Sequence, residues 1–121
     1  MIINFNEVPT QTISALHGGE GDIVAKIYES AMGKVIPCRL QPGASIGLHR
    51  HEDSMELCYV LYGAGKAICD GVEEPLVIDV CHVCPAGSEH TIVNTGGVEL
   101  VMLTFETGPS LPSNCAEKGD D

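Results

Sequence analysis

The chain has 121 residues, enough for one domain with a core of its own. Six Lys and Arg against seventeen Asp and Glu leave a formal net charge of −11, which repels phosphate backbones and anionic headgroups and argues against nucleic acid and membrane surfaces as partners. No stretch combines the length and uniform apolarity of a membrane-spanning helix.

At the start of the chain, Met1 to Thr10 lacks a basic opening followed by an apolar run, so no secretory signal is expected and a cytoplasmic location follows. The six cysteines are then expected as reduced thiols rather than as a disulfide framework. Leu16-His17-Gly18-Gly19-Glu20-Gly21-Asp22 has the glycines of a phosphate-cradling loop, but no helix-forming segment follows to supply an N-terminus. It reads as a structural turn, with His17 a solvated loop residue. Beyond it, frequent Gly and Pro separate short runs rich in Val, Ile, Leu and Tyr, and helical periodicity is weak, which is an all-β pattern. Strands are expected near Ile23–Tyr28, Lys34–Leu40, Ser45–His51, Glu56–Tyr62, Gly65–Cys69, Glu74–Ile78, Val80–Cys84, His90–Asn94 and Glu99–Glu106. Such a series of short strands suits a small barrel or jelly roll.

Between these strands, Asp70-Gly71 is a hairpin turn of the primed type and Thr95-Gly96-Gly97 makes another turn. Gly63-Ala64-Gly65-Lys66 joins two strands and ends in no Ser or Thr, so it fails as a nucleotide loop. Cys81-His82-Val83-Cys84 invites a redox or zinc reading, yet on an extended strand its cysteine Cα atoms stand ~10 Å apart on opposite faces, beyond the ~7 Å a disulfide allows. His82 shares the parity of Cys84 and is either a pocket residue or a satisfied structural histidine. Residues 1–33 are expected to pack N-terminal strands and turns on a barrel of residues 34–107, with a mobile acidic tail over 108–121.

The segment Met55–Tyr62 is apolar on both faces, with Glu56, Cys58 and Val60 on one and Met55, Leu57, Tyr59 and Leu61 on the other. One face fills the barrel and the other needs a cover, which points to a homodimer. His49 and His51, two apart on an extended segment, share a face because strand side chains alternate with period two. Glu56 and His90 arrive on later strands, flanked by apolar residues that line the interior. A carboxylate inside an apolar barrel is costly without a partner, and three imidazoles beside it remain unsatisfied. One divalent transition metal resolves both problems. Three imidazole nitrogens at ~2.1 Å and one carboxylate oxygen suit Zn, Mn, Fe, Ni or Co, and an octahedral ion keeps two positions open.

The spacing Gly43-x5-His49-x-His51-x4-Glu56-x6-Gly63, answered by Pro85-x-Gly87-x2-His90-x3-Asn94, resembles the two motifs of the cupin superfamily, and the resemblance runs from about Lys34 to Glu106. It implies a double-stranded β-helix, a jelly-roll barrel, with a metal on His49, His51, Glu56 and His90 and frequently a dimer. Asp79 departs from it where glycine usually opens the second motif, and Asp is among the residues that tolerate a positive φ. Glu52 and Asp53 fall in the connection before Glu56 and are expected in solvent. The fold hosts many reactions, so function must come from the site. The expected function is an enzyme, an isomerase, lyase or dioxygenase, acting on a small oxygen-rich metabolite such as a hydroxy-carbonyl, keto acid or sugar. Tyr62 is the candidate proton donor and Arg39 the candidate carboxylate holder. The alternative is a metal-containing module that only binds its small-molecule ligand.

Overall fold

The computed structural model describes residues 1–108, and the expected acidic tail lies outside them apart from Gly108. Eleven strands form among these residues: β1 Gln11–Ser14, β2 Asp22–Ala25, β3 Tyr28–Ser30, β4 Gly33–Leu40, β5 Ser45–Arg50, β6 Met55–Tyr62, β7 Gly65–Cys69, β8 Val72–Leu76, β9 Cys81–Cys84, β10 Glu89–Val93 and β11 Leu100–Thr107. One sheet has the order β1-β2-β4-β11-β6-β9, with β3 also on β4, and the other runs β5-β10-β7-β8. Every pairing is antiparallel. The chain crosses repeatedly between the sheets from β4 to β11, which makes the double-stranded β-helix. Among the described residues no helix is long and apolar enough to cross a membrane.

Alternation decides which side chains enter the space between the sheets. Leu100, Met102 and Thr104 point inward from β11, as do Cys58 and Val60 from β6 and Ile23 and Ala25 from β2, and all are buried. Leu40, Leu76 and Ile92 join this core, each large buried aliphatic side chain stabilising the fold by about 1.5–3 kcal/mol. At the end of β10, buried Asn94 ties the two sheets together. Its Nδ2 donates to the carbonyls of Leu40 (3.0 Å), Gln41 (3.2 Å) and Val98 (2.8 Å), and its Oδ1 accepts from the Gly96 N–H at 2.9 Å.

Sequence reading and structure part in a few places. The expected strand Ile23–Tyr28 is two strands, broken at Lys26 and Ile27 opposite Pro37 of β4. Lys26 N–H donates to the Pro37 carbonyl at 3.0 Å. A residue's N–H and C=O point to the same side of a strand, so the missing proline N–H would face this neighbour, and the ladder lapses there. Strand β1, short and polar, was not anticipated. The turn Asp70-Gly71 has positive φ at both residues (50° and 80°), as its primed type requires, and Asp79 takes φ 71°. The tyrosine hydroxyl of Tyr59 donates to Asp79 Oδ1 at 2.9 Å.

Candidate metal centre

His49 lies on β5 and His51 follows it by two residues, so both rings leave the same side of the strand. His90 on β10 is the direct cross-strand neighbour of His49. Glu56, near the start of β6, comes from the opposite sheet. One potential ligand atom from each of the four lies within 4.8 Å of the others. His49 Nε2 is 3.0 Å from His51 Nε2 and 3.1 Å from His90 Nε2. Glu56 places Oε2 3.2 Å from His51 Nε2 and Oε1 3.2 Å from His90 Nε2.

This donor set fits a divalent transition metal. Ring nitrogens aimed at one another at such distances can share at most one proton per pair, and otherwise their lone pairs oppose. Neighbouring ligands at right angles around an ion with ~2.1 Å bonds stand ~3 Å apart, the spacing found here. Tautomers agree with the assignment for two of the rings. The Nδ1 of His49 lies 2.7 Å from the Gly47 carbonyl, which can only accept, so the proton is on Nδ1 and Nε2 keeps its lone pair. His90 Nδ1 is engaged with His82 Nε2 at 2.9 Å, away from the centre.

Electrostatics follow from the same contacts. Burial lowers the His49 pKa, with the Gly47 carbonyl working against it. The hydrogen bond with Glu56 raises that of His51 above the ordinary histidine value. Burial pushes the Glu56 carboxyl up, but hydrogen bonds and positive charge from His51 and His90 outweigh it and hold the group well below the usual carboxylate range. Cys58, which donates to Glu56 Oε1 at 3.4 Å, and Cys38 are raised by burial, Cys38 to about 11, so both remain thiols rather than thiolate ligands.

The centre opens into a pocket of ≈ 190 Å³ with an apolar wall that includes Ile13, Ile27, Ile36 and Ile46. Lys34 is its one Lys or Arg among the described residues, and Glu106, His17 and Thr104 add to its polar lining. His17 has one face exposed, as a loop residue would, but its other face stacks on His49 with ring centroids 4.2 Å apart and planes 15° from parallel. This placement comes from the close approach of the turn Leu16–Gly18 to β5. A Cβ on Gly47 would run into the His17 carbonyl oxygen, and one on Gly19 into that of Ser45. Glu106 was missed in the sequence although Leu100, Met102 and Thr104 share its inward parity, and it is the register neighbour of Glu56.

The structure brings neither Tyr62 nor Arg39 to this pocket. Tyr62 is 55% exposed at the other end of β6 from Glu56, and an irregularity in the β6–β11 register just before it cancels the parity it would share with Glu56. Arg39 is exposed, reaches Glu99 at 3.8 Å and borders a separate hollow beside Leu61 and Val101 on the outer face of the larger sheet. Glu52 and Asp53 are in solvent, as expected. His82 is buried behind His90 and does not line the metal pocket.

Comparison with known proteins gives consistent matches. The family described as Cupin domain matches residues 38–106. The oxalate-binding protein of Thermotoga maritima is 33% identical over 110 residues, covering 85% of this chain and 90% of that protein. The protein SchB of Streptomyces halstedii is 37% identical over 73 residues, covering 60% of this chain and 52% of its own length. A crystal structure described as a predicted oxalate decarboxylase from Thermotoga maritima superposes with a TM-score of 0.82 at 28% identity, covering 89% of this chain and 99% of that one.

Proposed function

Starting from the fact that this chain belongs to the cupin family, we propose that it holds one divalent transition metal on His49, His51, Glu56 and His90 and captures there a small acid offering two neighbouring oxygens, with oxalate the first candidate. The observation that carries this reading is the convergence of four ligand atoms, with His49, His51 and Glu56 lining a pocket of only ≈ 190 Å³ and His90 buried beside them. When bound, the ion supplies Lewis acidity and open positions for a pair of oxygens. Four protein ligands on an octahedral ion leave two such positions, which matches a chelating dicarboxylate or keto acid and not a long or branched one. Lys34 offsets the negative charge of the incoming acid in a chain otherwise strongly anionic, and the isoleucine wall excludes water around it. The resemblance to an oxalate-binding protein supports this choice of ligand.

Calorimetric titration of oxalate into metal-loaded protein tests it. Saturable binding near one equivalent is expected, lost on stripping the metal and weakened in Lys34→Ala. Equal binding to the stripped protein, or no binding of oxalate, glyoxylate or pyruvate by the loaded one, refutes it.

A second reading, turnover rather than capture, rests on Glu106. Its Oε1 is 3.8 Å from His51 Nδ1 at the edge of the pocket, where a carboxylate can take a proton from a bound substrate. Release of carbon dioxide or an isomerised product, abolished in Glu106→Gln while binding persists, separates the two.

We also propose a homodimer through the outer face of the larger sheet. Leu57, Tyr59 and Leu61 of β6 lie beside Leu103 and Phe105 of β11 and Val83 of β9, a partly exposed apolar surface that a second copy would cover. Sedimentation of the wild type as a dimer and of Leu103→Glu as a monomer is the expected result. A cytoplasmic setting accords with free, buried Cys38, Cys58 and Cys84.

A further inference from the structure

His82 stands outside the ligand set, yet it is the link in a buried chain of contacts that leads out of the centre. Its Nδ1 is 2.7 Å from Glu74 Oε1 and its Nε2 is 2.9 Å from His90 Nδ1, with the His82 and His90 side chains fully buried. Glu74, His82 and His90 are eight residues apart on the consecutive strands β8, β9 and β10, so the chain passes from one sheet to the other and back. Its outer end is accessible, since the Glu74 side chain is 48% exposed beside a hollow that His82 also borders.

We propose that Glu74 and His82 are positioning residues that fix the tautomer and ring orientation of His90, and so set the metal affinity of the site. An ionised carboxylate has no proton to give, so His82 must donate from Nδ1 to Glu74. The Nε2 of His82 is then the atom that can accept, and it faces the Nδ1–H of His90 at 2.9 Å. With Nδ1 so protonated, the Nε2 of His90, which faces His49 and Glu56, is the atom free to give up its proton and offer a lone pair to a cation. Without Glu74 the order can reverse, placing a proton on His90 Nε2 and aiming it into the centre. Carboxylate–histidine partners behind a ligating imidazole raise its basicity, and their loss typically costs about 10–100-fold in metal affinity.

This inference rests on the metal reading for its affinity consequence and is independent of it for the tautomer. Long-range proton–nitrogen correlation spectra of the metal-free full chain, with histidine ¹⁵N labelled, should show a proton on His90 Nδ1 in the wild type, whether or not Nε2 also carries one toward Glu56, and a partial loss of that Nδ1 proton in Glu74→Ala. Competition with a chelator for zinc should then give a dissociation constant raised about 10–100-fold in Glu74→Ala and His82→Leu, with Glu74→Gln, which still accepts a hydrogen bond, in between. Glu74→Ala removes a half-exposed side chain, so it keeps the test intact if His82→Leu fails to fold. A His90 Nδ1 without a proton in the wild type overturns the proposal, and so do an Nδ1 protonation and zinc affinity unchanged in Glu74→Ala. A wild type with the Nδ1–H tautomer that binds no zinc would instead sink the metal reading and leave the relay standing.

Discussion

Replacing Glu56 by Gln removes the single anionic ligand from the centre while keeping the size of the side chain. Glu56 is 7% exposed, and its two oxygens each face a ring nitrogen at 3.2 Å. Glu52, four residues earlier, has a side chain 75% exposed and lies 3.7 Å from Arg50, so Glu52→Gln is the matched control. At a metal concentration of 100 times the dissociation constant, binding to the folded state alone adds about 2.7 kcal/mol of stability. An unfolding entropy of about 2.1 cal/mol/K per residue over 121 residues converts this into a melting-temperature rise of about 11 °C. Loss of the carboxylate charge should weaken the site by at least about 100-fold, the upper figure for losing a mere outer partner. At the same metal concentration the gain then shrinks to about 0.4 kcal/mol, or about 2 °C. Thermal melts of chelator-stripped protein with zinc or manganese added back measure both variants directly. A full shift in Glu56→Gln, or an equal loss in Glu52→Gln, would show that the carboxylate is wrongly assigned.

Asn94→Ala should lower stability by about 3 kcal/mol, because it removes the Asn94 donor from the carbonyls of Leu40 and Val98, while that of Gln41 keeps the Ala44 N–H at 2.8 Å; a urea midpoint shift equivalent to under about 1 kcal/mol would contradict the bonding described. Gly47→Ala should cost about 1–3 kcal/mol and part His17 from His49, since the new methyl meets the His17 carbonyl; a wild-type melting temperature would refute that contact. The metal-free protein should be most stable near the ordinary histidine value of about 6.5. Below that value the lowered pKa of His49 makes stability rise with pH, and above it the raised pKa of His51 makes stability fall as its proton is lost. Metal-loaded protein should instead go on gaining stability above it, because the ion competes with protons for the same nitrogens. Denaturant midpoints against pH, with and without chelator, check this, and parallel curves would refute it.

The centre was legible in the sequence because it depends mostly on parity. His49 and His51 two apart, and Glu56 in phase with Cys58 and Val60, declare their face without any knowledge of neighbouring strands. Tyr62 shows where parity stops, since one irregularity opposite Val101 undoes the phase. The role of His82 was undecided for a related reason. Its partners Glu74 and His90 belong to the other sheet, and no spacing along the chain announces a contact made across the interior. His17 escaped because the close backbone approach of Gly19 and Gly47, not any pattern of side chains, presses its turn onto β5. The split between β2 and β3 had a visible cause in Pro37, but the consequence falls on a strand eleven residues away, at Lys26.

The barrel is fastened in two unlike ways at its two ends. Asn94 closes one rim with hydrogen bonds that ask nothing of the surroundings, while at the other rim His49 and His90 from one sheet meet Glu56 from its opposite. A cation held there, as we propose, would tighten that second clasp. The molecule would then resemble a box with a fixed hinge and a removable latch, and a fluctuation in metal supply would be felt first as looseness at the mouth of the pocket.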